Sequence, residues 1–144
     1  MRRAARFAGL AALLATLAGP ALAASVEVIV EGAEPGPDDI YVTLCQGGLT
    51  EAACPIGRHA PPQGGAARFV FDEVPAGIWA VAAFQDENGN GRLDRTGLGL
   101  PLEPYGFSGS VGRRARPDFA SASFALREPG AAIRVRLARP LPRR

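Results

Sequence analysis

The chain has 144 residues, 47% of them hydrophobic, with 16 basic against 14 acidic side chains and a formal charge of +2. That is enough apolar material for one packed domain. The charge balance is too even for a nucleic-acid binder, which needs a concentrated basic footprint.

Arg2, Arg3 and Arg6 precede an apolar run from Phe7 to Leu17, and Ala21-Leu22-Ala23 supplies a small-x-small pattern. This is the pattern of a cleaved export signal. A retained anchor is the alternative, but spanning a bilayer takes about 20 apolar residues and the run is shorter. The expected division is a leader over 1–24, a domain over 25–139 and a flexible tail over 140–144, with the mature protein periplasmic or secreted. Removing the three leader arginines leaves 13 basic residues, all arginine, against 14 acidic ones, a charge of −1. Arg113, Arg114 and Arg116 form a short patch, but no aromatics are interleaved with it as in a nucleic-acid platform. No later stretch is long and apolar enough to span, so the mature chain is not expected to cross a membrane.

Val26, Val28 and Val30 alternate with Glu27 and Glu31, the period of a half-buried strand. Glu34-Pro35-Gly36-Pro37 ends it. Ile40, Val42 and Leu44 line one face of a second strand that runs to Cys45. From Gln46 to Gly65 the pattern is long and irregular. Cys45 and Cys54 enclose its first part. In an exported chain this spacing favours one disulfide over two free thiols, and it does not fit a Cys-x-x-Cys redox pair or a zinc site. His59, the lone histidine, has no metal-ligating neighbour at a motif spacing and reads as an exposed loop residue.

Ala66 to Phe71 is a third strand, with Ala67, Phe69 and Phe71 aligned, followed by a type I turn over Val74 to Gly77. Ile78 to Gln85 is a fourth, apolar on both faces. Such a strand is central or has its outer face roofed, and the segment after Asp94 is a candidate roof. Gly97 to Pro117 is a long Gly/Pro-rich loop whose aromatics, Tyr105 and Phe107, are expected to pack down. Phe119 to Leu126 and Ala131 to Ala138 complete the strands. Six clear strands and a seventh within Tyr105 to Val111, joined by Gly/Pro turns, predict an all-β, antiparallel β-sandwich of about seven strands, immunoglobulin-like or prealbumin-like. A small barrel is the runner-up.

One stretch carries candidate chemistry: F-Q-D-E-N-G-N-G-R-L-D, residues 84–94. Taking Asp86 as position 1 of a calcium loop puts Asn88 and Asn90 at the next two ligand positions. Gly91 falls at the turn, the Arg92 carbonyl at position 7, and Asp94 at position 9. Calcium takes six to eight oxygens, and alternate oxygen side chains in a tight turn can converge on it. Position 12, where a bidentate glutamate belongs, falls on Gly97, and no helices flank the loop. A calcium site of Asp86, Asn88, Asn90, Arg92 and Asp94 is therefore weak, with Kd about 0.1 to 1 mM. Glu87 or Glu103 are candidates to complete the shell. The competing reading is a metal-free turn in which Asn and Asp side chains cap their own backbone. An enzyme is disfavoured. No serine lies in a nucleophile-elbow context, and His59 has no spacing to any of them.

The run F-D-E-V-P-A-G-I-W-A-V-A-A-F-Q-D-E-N-G-N-G-R-L-D (71–94), with L-G-L-P-L-E-P-Y-G-F-S (98–108) and A-R-P-D-F-A-S-A-S-F-A-L (115–126), resembles the exported bacterial domain-of-unknown-function family 2141. The resemblance covers essentially the whole mature chain. It implies a secreted or periplasmic β-sandwich with no established enzymatic role. Members often carry histidine just before the Asp of this loop; here the residue is Gln85, so a metal role through that histidine does not carry over. The V-P-A-G-I-W-A-V stretch is also similar to the hairpin of transthyretin-like and carboxypeptidase regulatory domains. The expectation is a non-enzymatic binding or interaction module whose partner is an unknown envelope protein or small ligand. A purely structural envelope domain is the alternative.

Overall fold

The computed structural model describes residue 19 and residues 22–109 and 117–140. The apolar leader run, Arg113, Arg114, Arg116 and the tail from 141 lie outside the described residues. Eight strands form two facing sheets: β1 (Ala23–Glu31), β2 (Ile40–Cys45), β3 (Ile56–Ala60), β4 (Ala66–Pro75), β5 (Gly77–Gln85), β6 (Tyr105–Phe107), β7 (Phe124–Leu126) and β8 (Gly130–Arg136). One sheet is ordered β4–β1–β8. The other runs β3–β2–β5–β6, with β7 also paired to β5.

The alternating valines of β1 decide how the sheets meet. Val26, Val28 and Val30 are fully buried against Ile40, Val42 and Leu44 of β2 and Val81 and Ala83 of β5. Phe69 and Phe71 of β4, Trp79 of β5, Leu126 and Val135 join the same core. Each fully buried aliphatic side chain stabilises the fold by about 1.5–3 kcal/mol relative to exposure. The outer face of β5 is covered as well. Ala80 lies in a second cluster with Cys45 and Ala122, against which Cys54, Phe107 and Phe119 pack. The roof thus comes partly from the segment after Asp94, as its apolar outer face requires, and partly from the disulfide loop. Cys45 and Cys54 are bonded at 2.04 Å.

Several sequence expectations are corrected. The sandwich is not purely antiparallel, because β1 pairs in parallel with β8, from Ser25↔Gly130 to Glu31↔Arg136. β1 and β8 enter their sheet from the same pole, where Ser25 N–H donates to the Pro129 carbonyl at 3.1 Å. Among the described residues the strands number eight where about seven were expected, because the stretch read as irregular contains β3, antiparallel to β2 from Ile40↔Ala60 to Leu44↔Ile56. His59 sits on that edge strand, not in a loop. The strand read over Phe119–Leu126 begins instead as one helical turn, α1 (Phe119–Ala122). Asp118 caps it, accepting the Ser121 N–H at 2.7 Å. The turn after β4 is tighter than expected. β4 runs to Pro75 and β5 starts at Gly77, and Trp79 Nε1 donates to the Pro75 carbonyl at 2.8 Å. The ladder accommodates this with a bulge in which Glu73 takes φ 57° and the register shifts between Ala24 and Val26.

Gly106 sets how closely the two sheets approach at the β6 end. A Cβ there would lie 2.3 Å from the Arg136 carbonyl oxygen. β6 needs this closeness to exchange backbone bonds with the end of the chain: Tyr105 N–H to the Ala138 carbonyl at 3.2 Å and Ala138 N–H to the Tyr105 carbonyl at 3.0 Å. Gly106→Ala is expected to cost about 1–3 kcal/mol by overpacking, read as a lower midpoint in chemical denaturation, and an unchanged midpoint would contradict this packing.

Candidate functional site

The 86–94 loop leaves β5 at the pole where the β1–β2 connection and the end of β8 also arrive. Gln85, the last residue of β5, points into the core side and is fully buried. Its amide makes two bonds to one backbone unit, accepting Glu34 N–H at 2.8 Å and donating to the Glu34 carbonyl at 2.9 Å. Gln85 therefore works as a clamp between β5 and the β1–β2 connection.

Beyond it the chain turns sharply, with Gly89 at φ 71° and Gly91 at φ 73°, a region that favours glycine. Side chains satisfy the loop's backbone. Asp86, only 3% exposed, accepts Asn90 N–H at 3.2 Å and Gly91 N–H at 2.7 Å. Asn90 Oδ1 accepts Arg92 N–H at 2.9 Å. Glu103 reaches in from the following segment. One carboxylate oxygen accepts Glu87 N–H at 2.9 Å and the other Asp94 N–H at 3.0 Å. Its carboxyl is held above the ordinary carboxylate range, first by burial and further by the Asp94 and Asp86 charges, against the opposing pull of those two N–H groups.

The predicted ligands fall into two groups. Asn88, Asn90 and Asp94 come together: Asn88 Nδ2 donates to Asp94 Oδ2 at 2.5 Å, and Asn90 Nδ2 lies 3.0 and 3.1 Å from the two Asp94 oxygens. Asp86 faces the backbone of the same turn rather than Asp94, and Arg92 is engaged through its N–H. Among the described residues, no group of three or more His, Cys, Asp or Glu side chains is arranged to hold a metal ion. Any cation here would have to draw on amide and carbonyl oxygens. A half-turn of the Asn88 and Asn90 amides would bring oxygen toward Asp94 as a hard cation requires, at the cost of the bonds those oxygens accept from Asn90 N–H at 3.2 Å and Arg92 N–H at 2.9 Å.

Beside the turn lies an open hollow of about 330 Å³ lined by Pro37, Asp38, Asp39, Tyr41, Asp86, Asn88 and Gly89. Asp94 and Glu103 do not line it. Three rings stand in a row across β3, β2 and β5, the middle one, Tyr41, at its wall. His59 stacks on Tyr41 at 4.7 Å and Tyr41 on Phe84 at 5.1 Å. His59 Nδ1 is 2.7 Å from Asp39 Oδ2. On the other side of the loop, Arg139 is 13% exposed and binds both oxygens of Glu34 at 3.0 Å, the Leu102 carbonyl at 2.8 Å, and Glu87. Hydrogen bonding to Glu34 is the largest influence raising the Arg139 pKa, so it stays charged.

Sequence spacing marked the turn itself. It did not mark Gln85, Glu34, Arg139 and Asp39 as supports, because tertiary contacts bring them in. The one available signal was Glu103, an acidic residue in the conspicuous L-P-L-E-P-Y-G-F stretch.

Residues 28–134 match the family model described as an uncharacterized protein conserved in bacteria (DUF2141), and the chain belongs to that family. No curated protein and no solved structure matches it.

The raised Glu103 carboxyl has a definite sign. Its contribution to stability is complete below its unfolded value, near 4.5, and is lost as pH rises through the higher folded value. A carboxyl-carbon NMR titration should find a midpoint above 4.5 for this side chain. Glu103→Ala should cost about 1–3 kcal/mol, by leaving the Glu87 and Asp94 N–H groups without their acceptor. A Glu103 midpoint at or below the ordinary value would contradict the burial argument.

Proposed function

We propose that this DUF2141 member is an exported, non-catalytic binding module whose working surface is the pole formed by the 86–94 turn and the adjoining hollow. The turn takes calcium weakly through Asp94, Asn88, Asn90, the Arg92 carbonyl and water, with Asp86 holding the backbone in shape. The observation that carries this reading is the gathering of Asn88 and Asn90 around the Asp94 carboxylate, next to a hollow lined by Asp38, Asp39 and Asp86. In the metal-free turn the two amides give nitrogen to Asp94, and a hard cation there would displace them and draw in their oxygens. The ligand of the module is a small molecule or an envelope protein presenting a cationic group to that hollow. Export rests on the arginine-led apolar N-terminus and its small-x-small end.

The non-catalytic reading is supported by how the candidate groups are spent. His59 is paired with Asp39 and stacked on Tyr41. The buried Ser108 donates to the Ala122 carbonyl at 2.6 Å and accepts Val81 N–H at 2.7 Å, stitching β5 to α1. A second reading, a purely structural envelope domain, is favoured by the internal satisfaction of the turn. Among the described residues no buried side-chain N or O atom lacks a partner.

A thermal melt separates the two. Calcium at tenfold its Kd should stabilise the folded protein by about 1.4 kcal/mol, raising Tm over an EDTA control, and Asp94→Ala should remove the rise. A Tm that does not move at millimolar calcium would leave the turn as a metal-free corner and favour the structural reading.

A further inference from the structure

The segment that follows the turn carries three leucines at alternate positions, and none of them is used by the core. Leu98 is 87% exposed, Leu100 47% and Leu102 44%. They do not sit on a slack loop. Thr96 N–H donates to the Leu100 carbonyl and Gly99 N–H to the Thr96 carbonyl, both at 2.8 Å. The Thr96 hydroxyl accepts Leu98 N–H at 3.3 Å and Leu100 N–H at 3.2 Å. Arg95 Nη1 donates to the Gly99 carbonyl at 3.1 Å. Leu102 N–H is tied to the Asp94 carbonyl at 2.8 Å, and Pro101 and Pro104 are buried beneath. The result is a small, pinned hairpin tip that holds an aliphatic side chain almost wholly in water.

We propose that this tip is a membrane-docking element: Leu98, with Leu100 and Leu102 behind it, inserts into the interfacial layer of an anionic lipid surface while Arg92 and Arg95 meet the headgroups. The shape favours lipid over a protein partner. A protein interface of ordinary size needs about 800 Å² of matched surface on each side, whereas this is a single convex turn. Its apolar residues are leucines, which are under-represented among the anchors of protein interfaces. Aliphatic side chains collared by basic ones are the composition of segments that lie in a bilayer interface. Arg92 is exposed within the preceding turn, and the Arg95 guanidinium sits at the neck of the tip. Insertion does not depend on the calcium reading, because the leucines and arginines act without an ion.

The test is flotation of the full protein with phosphatidylglycerol-containing vesicles and with pure phosphatidylcholine vesicles, both in EDTA so that failure of calcium binding cannot affect the result. The wild type should float with the anionic vesicles. Leu98→Ser/Leu100→Ser should bind at least about tenfold more weakly, from the loss of apolar transfer, with Tm unchanged because both positions are exposed. Arg92→Gln should reduce the preference for anionic over neutral vesicles. Leu98→Trp adds a direct reporter, since the native Trp79 is 3% exposed: its emission should shift to the blue on adding anionic vesicles. Flotation that is absent, or equal in the serine variant, would overturn the proposal, as would an unshifted tryptophan emission. Leucine-dependent self-association without vesicle binding would also overturn it and would identify the tip as a contact between copies of the chain.

Discussion

A turn as tight as 86–94 leaves N–H groups that no neighbouring strand can reach, and the whole pole is arranged around satisfying them. Buried donors without acceptors cost about 1–3 kcal/mol each. Asp86 takes two from ahead of it, Asn90 takes one, and Glu103 takes two from the ends of the turn. Carboxylates are effective here because an ionised oxygen accepts several charge-assisted bonds at once. The same requirement explains why acidic residues collect at one end of a sandwich whose core is otherwise aliphatic.

Collecting carboxylates has an electrostatic cost, and Arg139 offsets part of it. It reaches Glu34, Glu87 and the Leu102 carbonyl from the segment after β8. Gln85 performs the neutral counterpart, binding the Glu34 backbone as another strand would. Between them these two side chains fasten the β1–β2 connection, the turn and the C-terminal segment into one unit. Glu103 is the group that bears the remaining penalty, visible in its reluctance to ionise. On the far side, Asp38 and Asp39 line the hollow, and Asp39 is paired with His59.

How much of this was legible follows from the range over which each feature is encoded. The valines of β1 and the Ile40-Val42-Leu44 face of β2 alternate because each strand has one face in the core, so a local period revealed them. β3 was not legible, because Ile56-Gly57-Arg58-His59-Ala60 lies on a sheet edge with its central residues exposed and carries no such period. The α1 turn is shorter than one helical repeat and shows only in the Asp118–Ser121 cap. The parallel match of β1 to β8 is a relation between residues some hundred positions apart, and neither strand encodes it alone. The site divides in the same way. The alternate Asp/Asn positions mark the turn and Glu103 was a candidate beside it, while its supports at Glu34, Gln85 and Arg139 are set by where the strands end.

The pairing of β1 with β8 also bears on how the protein comes into being. β1 lies between β4 and β8, so its second edge stays open until the chain has been made through β8. Contacts of such long sequence separation make folding slow, because loop-closure entropy is lost before the pairing rewards it. Through that interval the nascent chain presents a valine-rich strand with one unpaired side, the kind of surface that chaperones cover and that aggregates when they do not. The topology that sets β8 beside β1 therefore leaves this edge open until β8 arrives.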